Sequence, residues 1–186
     1  MTGKNPGRSE LNDLEPAGIR QLGQHYLKDL VYGANDGIIT TFAVVSGVAG
    51  AELDPRVVLI LGFANLLADG FSMGASNFLA IRSDEDVRRA SGLGVQELFP
   101  ARHSLATFLA FVIAGVVPLI SYVIVLDERR FPVAIALTLA ALFAVGSART
   151  LVTDRSWWRA GLEMLVVGSV AAAVAYGVGA FIEGIT

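Results

Sequence analysis

Read as a pattern of apolar and polar positions, the chain divides into a polar start and five long apolar stretches. Residues 1–28 are polar and carry Gly and Pro, which predicts a soluble tail with some helix near Pro16–Tyr26. The apolar stretches run about Leu30–Gly50, Val57–Ile81, Leu105–Leu126, Phe131–Ala148 and Gly161–Ile182. Each is near the roughly 20 residues that a helix needs to cross the hydrocarbon layer. No strand-like alternation of period two competes with this reading. The connections are short: Ala51–Arg56, Arg82–Ser104, Asp127–Arg130 and Arg149–Ala160. The expected architecture is an all-α integral membrane protein of five transmembrane helices, with a tail over 1–28 and a membrane domain over 29–186.

Composition agrees. The 186 residues are 54% hydrophobic and 17% charged, against roughly 25% charged in soluble domains, and the mean hydropathy is +0.60. A formal net charge of −3 without a basic stripe excludes nucleic acid as a partner. With no cysteine, disulfides, thiolate metal sites and thiol catalysis are excluded. The polar start shows no apolar core or cleavage site of a signal peptide.

The placement of Lys and Arg predicts the orientation. Five spans put the tail, the second connection and the fourth connection on one face, with eleven of the fourteen basic residues. Only Arg56, Arg129 and Arg130 fall on the other. The N-terminus is therefore expected in the cytosol and the C-terminus on the far side.

Two aspartates interrupt the apolar pattern. Asp36 lies in the first span and Asp69 in the second. A carboxylate at bilayer depth costs at least about 2.5–3.5 kcal/mol, so it faces a partner, an ion or a watery path. Asp29 is seven residues before Asp36 and shares its face of a helix, at the expected mouth. Asn35, Thr40 and Thr41 add oxygen ligands nearby. In the second span Asn65, Asp69, Met73 and Ser76/Asn77 recur at helical spacing as one polar stripe. Carboxylate and amide oxygens with one thioether suit a borderline ion such as Fe²⁺ better than Mg²⁺ or Ca²⁺. Simpler readings stand beside these. Met is common filler in apolar helices, Asn and Ser are common interhelical glue, and Asp29 beside Lys28 fits a helix start. Gly33 with Gly37, and Gly70 with Gly74, place small residues on one edge of each of the first two spans, which favours close helix pairing. Pro118 predicts a kink, and Gly177 and Gly179 predict packing positions. Glu163 follows Trp157, Trp158 and Arg159, an interfacial anchor group, and is placed at the surface. His25 is assigned to the tail and His103 to a loop, neither as a metal ligand. The acidic run after Ser83 reads as a solvated helix start.

At these residues the sequence resembles the vacuolar iron transporter family, which includes the nodulin-like transporters. The likeness rests on Asp29-Leu-Val-Tyr-Gly-Ala-Asn-Asp36-Gly37 and Ala68-Asp69-Gly70-Phe71-Ser72-Met73-Gly74, with Tyr176-Gly177-Val-Gly179 as a weaker match. It implies a five-span homodimer with the ion path between subunits and proton-coupled export of Fe²⁺ or Mn²⁺ from the cytosol. It places transport acids at Asp29 and Asp36, the pathway methionine at Met73, and a second-span glutamate where this chain has Asn65. Asp69, one turn further on, is the expected substitute. Iron-storing members resemble one another in a Glu-rich cytosolic domain between spans two and three. The connection here holds only Glu85 and Glu97.

The metal is cargo, and no resident cofactor is expected. The alternatives are a proton or cation channel, and a non-transporting membrane scaffold. An enzyme is disfavoured, because no nucleophile–base pair or His-rich metal cluster is evident in or beside the spans. Short form and lack of targeting point to a prokaryotic inner membrane, or to a vacuolar or other organelle membrane in a eukaryote.

Overall fold

The computed structural model describes residues 19–151 and 156–185. Residues 1–18 of the expected tail and 152–155 of the fourth connection, Arg155 among them, lie outside the described residues. Among the described residues six α-helices follow in order: α1 (Ile19–Gly50), α2 (Pro55–Ala90), α3 (Pro100–Gly115), α4 (Val117–Ile124), α5 (Arg130–Ala148) and α6 (Trp157–Glu183). A 3-10 turn, Arg149–Leu151, extends α5. No strand occurs among the described residues.

Local chemistry sets the boundaries. Asp54 caps α2 by accepting from the Arg56 N–H at 2.8 Å, and Pro55 occupies the first turn, where a missing N–H costs nothing. α3 and α4 are one span broken at Val116, two residues before Pro118, so the expected kink is present. Proline there removes one rung of the ladder and crowds the carbonyl one turn back.

Two expectations are corrected. Asp29 is no helix-start residue, because α1 begins at Ile19 and Asp29 sits well inside it. The acidic run after Ser83 starts no helix either; it continues α2 as far as Ala90. Arg88 and Arg89 in its last turn suit the negative end of the helix dipole.

Four units are long and apolar enough to cross a membrane: Pro55–Ala90, Pro100–Ile124, Arg130–Leu151 and Trp157–Glu183. α1, the fifth, is not among them. It occupies the centre instead and touches every other helix. Phe42, Val45 and Val48 of α1 pack with Val58 of α2, Leu119 and Tyr122 of α4 and Ala134 of α5. Ile38 packs with Leu142 of α5 and Met164 of α6. Outward faces stay apolar, as in Val166, Val170, Val174 and Phe181 of α6.

The glycine edges decide how α1 and α2 sit. Both dock on α3. A methyl group on Gly33 would collide with the Thr107 carbonyl oxygen, and one on Gly37 with that of Phe111. At Gly74 it would come within 3.1 Å of the Ser104 carbonyl oxygen. On α2 the buried positions Val58, Gly62, Leu66, Gly70 and Gly74 repeat every four residues. The polar stripe of Asn65, Asp69, Met73 and Asn77 runs beside that seam. At the far end Gly179 meets the backbone of Gly47, whereas Gly177 faces open space and packs against nothing.

Candidate functional site

A cavity of about 580 Å³ lies between α1 and α2. Lys28, Asp29, Tyr32 and Asp36 of α1 line one wall; Asp69, Ser72, Met73, Ser76, Asn77 and Ala80 of α2 line the other. Helical spacing explains the selection, since Asp29 and Asp36 are two turns apart and Asp69, Met73 and Asn77 are successive turns. With the glycine edges turned to α3, the acids of both helices are left facing this space. Among the described residues, neither Asp36 nor Asp69 has a side-chain hydrogen bond or ion pair. The nearby hydroxyl of Thr40 donates to the Asp36 backbone carbonyl at 2.8 Å.

Not every expected ligand joins them. Asn65 does not line the cavity, and its amide nitrogen is buried without a hydrogen-bond partner. Asn35 lines a separate space with Gln24, Arg149 and Glu163. Thr41 is buried, its hydroxyl unbonded. Glu163 is exposed as expected and pairs with Arg149.

Asp29 stands in contrast to Asp36. It is 6% exposed, and both of its oxygens are engaged. Oδ1 accepts from the Asn77 amide at 2.7 Å, and Oδ2 lies 2.6 Å from His103 Nδ1. Asn77 also donates to the Thr107 hydroxyl at 2.8 Å, which donates in turn to the His103 carbonyl at 3.0 Å. One residue from each of α1 and α2 is thus tied to the first turns of α3.

Beyond Asp29, sequence reasoning missed a cluster. His25 is helical, on α1, as the expected helix near Pro16–Tyr26 allows, whereas His103 is buried in the first turn of α3 and not in a loop. Their Nε2 atoms lie 3.2 Å apart, and Glu97 Oε2 is 3.0 Å from His103 Nε2 and 3.4 Å from His25 Nε2. The Tyr26 ring packs on both histidines, with centroids 4.8 and 4.7 Å away. Glu97 reaches this point because Glu85, buried on the extension of α2, accepts from the N–H groups of Gln96 and Glu97 at 2.9 and 2.8 Å. Arg88 holds the same loop through the Gly94 carbonyl at 3.1 and 3.0 Å. A signal was present: His25 is one turn before Asp29, His103 one turn before Thr107, and the chain has only these two histidines.

The model of the VIT family matches residues 27–93 and 90–180, which is most of the described chain. The chain belongs to the VIT family. Its relatives include the vacuolar iron transporter 1 of Eucalyptus grandis, 26% identical over 94% of this chain and 94% of the relative. Vacuolar iron transporter homolog 4 of Arabidopsis thaliana is 28% identical over 82% of this chain and 81% of its own length. The vacuolar iron transporter of Plasmodium falciparum is 43% identical across 35% of this chain and 24% of the relative. The match to the VIT family changes stretch at residues 90–93, where α2 ends. The Eucalyptus alignment spans 242 residues, more than the 186 of this chain, so it runs through inserted sequence. This VIT-family chain is an all-α membrane protein whose central helix carries Asp29 and Asp36.

Proposed function

We propose that this protein transports divalent transition-metal ions, Fe²⁺ or Mn²⁺, out of the cytosol in exchange for protons. The observation that carries the reading is the set of partner-free ligands, Asp36 and Asp69 with Met73, on one cavity between two helices. A half-buried carboxylate at bilayer depth without a protein partner needs a cation or a proton. The relatives, named as iron transporters, support the class of cargo.

The geometry gives a mechanism. An ion reaches the cavity past Asp29, sheds water and is held by Asp36, Asp69 and the Met73 sulfur. Two carboxylates neutralise a divalent ion, and the thioether favours Fe²⁺ over Mg²⁺ and Ca²⁺, with Mn²⁺ less discriminated. Asp69 supplies the charge that the resemblance places at Asn65. The same carboxylates bind either a proton or the metal, so protonation from the far side releases the ion outward. That exclusivity is the basis of exchange. The tail faces the cytosol, the membrane is a prokaryotic inner membrane, and the cavity is completed by a second copy across α2. Exposed Leu67 and Phe71 beside Asp69 suit such a contact.

The test is Fe²⁺ and Mn²⁺ flux into proteoliposomes under an imposed pH gradient, for the parent and Asp36→Ala. Gradient-dependent flux that the substitution abolishes is the expected result. Flux indifferent to the gradient would mean a channel, and no flux from folded protein would mean a scaffold.

A further inference from the structure

We infer that His25, Glu97 and His103 form a second binding site for a divalent transition-metal ion, at the mouth of the cavity that Asp36 and Asp69 line. Three observations carry the inference, and none requires transport.

The first is spacing. A tetrahedral ion with bonds of about 2.0–2.1 Å to imidazole nitrogen and carboxylate oxygen sets its ligand atoms about 3.3 Å apart. The three atoms here are separated by 3.0, 3.2 and 3.4 Å.

The second is donor chemistry. Asp29 accepts at His103 Nδ1, which places the ring proton there and turns the Nε2 lone pair toward the cluster. Glu97 offers only lone pairs, and a neutral His25 offers at most one proton to the triangle. Three converging ligand atoms with at most one proton among them form an arrangement that a cation completes. Two imidazoles and one carboxylate select transition ions such as Zn²⁺, Co²⁺ or Fe²⁺ over Mg²⁺ or Ca²⁺. A carboxylate behind a ligating histidine, as Asp29 stands behind His103, is the usual support for such a ligand.

The third is pre-organisation. Glu85 and Arg88 bind the loop that presents Glu97, and His103 is 5% exposed, so both ligands are already in place. A space of about 410 Å³ beside the cluster is lined by His25, Asp29, Asn77, Glu97 and His103. It shares Lys28, Asp29, Asn77 and Ala80 with the Asp36 cavity, so the two sites lie on either side of Asp29.

The experiment uses the full chain in detergent, with Co²⁺ as the probe, followed by equilibrium dialysis and visible absorption. The parent is expected to bind Co²⁺ at the cluster with the ligand-field bands of nitrogen coordination. His25→Ala and Glu97→Gln should each weaken that binding by at least about tenfold, the loss that even supporting residues cause, and should remove the bands. Asp36→Ala should leave them intact. Glu97→Gln keeps the side chain's shape and so carries the test if His25→Ala fails to fold, as judged by elution and unfolding temperature. Bands and stoichiometry unchanged in folded Glu97→Gln would overturn the site, as would a folded parent whose Co²⁺ binding vanishes entirely in Asp36→Ala. Co²⁺ bound at the cluster by a protein with no flux would refute the transport reading alone; flux without cluster binding would refute this one alone.

Discussion

Asp29 and Asp36 occupy one face of one helix, two turns apart, yet their surroundings give them opposite work. Asp29 is buried and joined to His103 and Asn77, so it holds α1 and α2 to α3. Removing one member of such a buried, paired group leaves the others unsatisfied and costs about 3 kcal/mol or more. Asp36 has no such partner among the described residues. Thermal unfolding in detergent without metal should therefore rank Asp29→Ala well below the parent and Asp36→Ala at or above it. Equal losses would show that Asp36 also has a structural role. The sequence displayed both acids, and their spacing put them on one face of one helix. It could not separate the two roles, because the partners of Asp29 are 48 and 74 residues away along the chain. The same distance hid the cluster: His25 and Glu97 meet only once α1 has docked on α3.

At the scale of elements, the glycine edges matter for which helix they meet. The spacing of Gly33 and Gly37, and of Gly70 and Gly74, announced close approach, but nothing in either span names the partner. Both turn to α3, which becomes a common back wall and leaves the acidic faces of α1 and α2 toward the cavity. Gly37→Ala should destabilise the fold by about 1–3 kcal/mol, because its methyl would press on a carbonyl oxygen that cannot yield. Gly177→Ala, facing open space, should be neutral or gain up to about 1 kcal/mol from lower chain entropy in the unfolded state. Unfolding temperatures of the two variants, measured side by side, check the contrast; similar values would mean that α1 can shift on α3. Periodicity revealed the other spans to within a few residues. It missed the end of α2, since Arg82, Asp84 and Asp86 look like a loop when hydropathy alone is counted. They are the solvated sides of a helix whose inner residue, Glu85, holds the loop beyond it.

For the molecule as a whole, the proposed second copy can be tested by using the absence of cysteine. A single Phe71→Cys, on the exposed face beside Asp69, should cross-link two copies in the membrane with a short bismaleimide. Leu151→Cys, exposed at the end of the turn after α5, should not. Cross-linking at Leu151 with none at Phe71 would move the contact away from the cavity. The central place of α1 bears on how the protein is made. α1 precedes every other span in the chain, yet it falls short of the apolar character that marks the other four as membrane-crossing. It is therefore the segment least suited to wait alone in lipid, and its neighbours α3 and α6 are synthesised only later. Its place among the spans rests more on the helices that enclose it, above all α3 and α6, than on its own affinity for lipid.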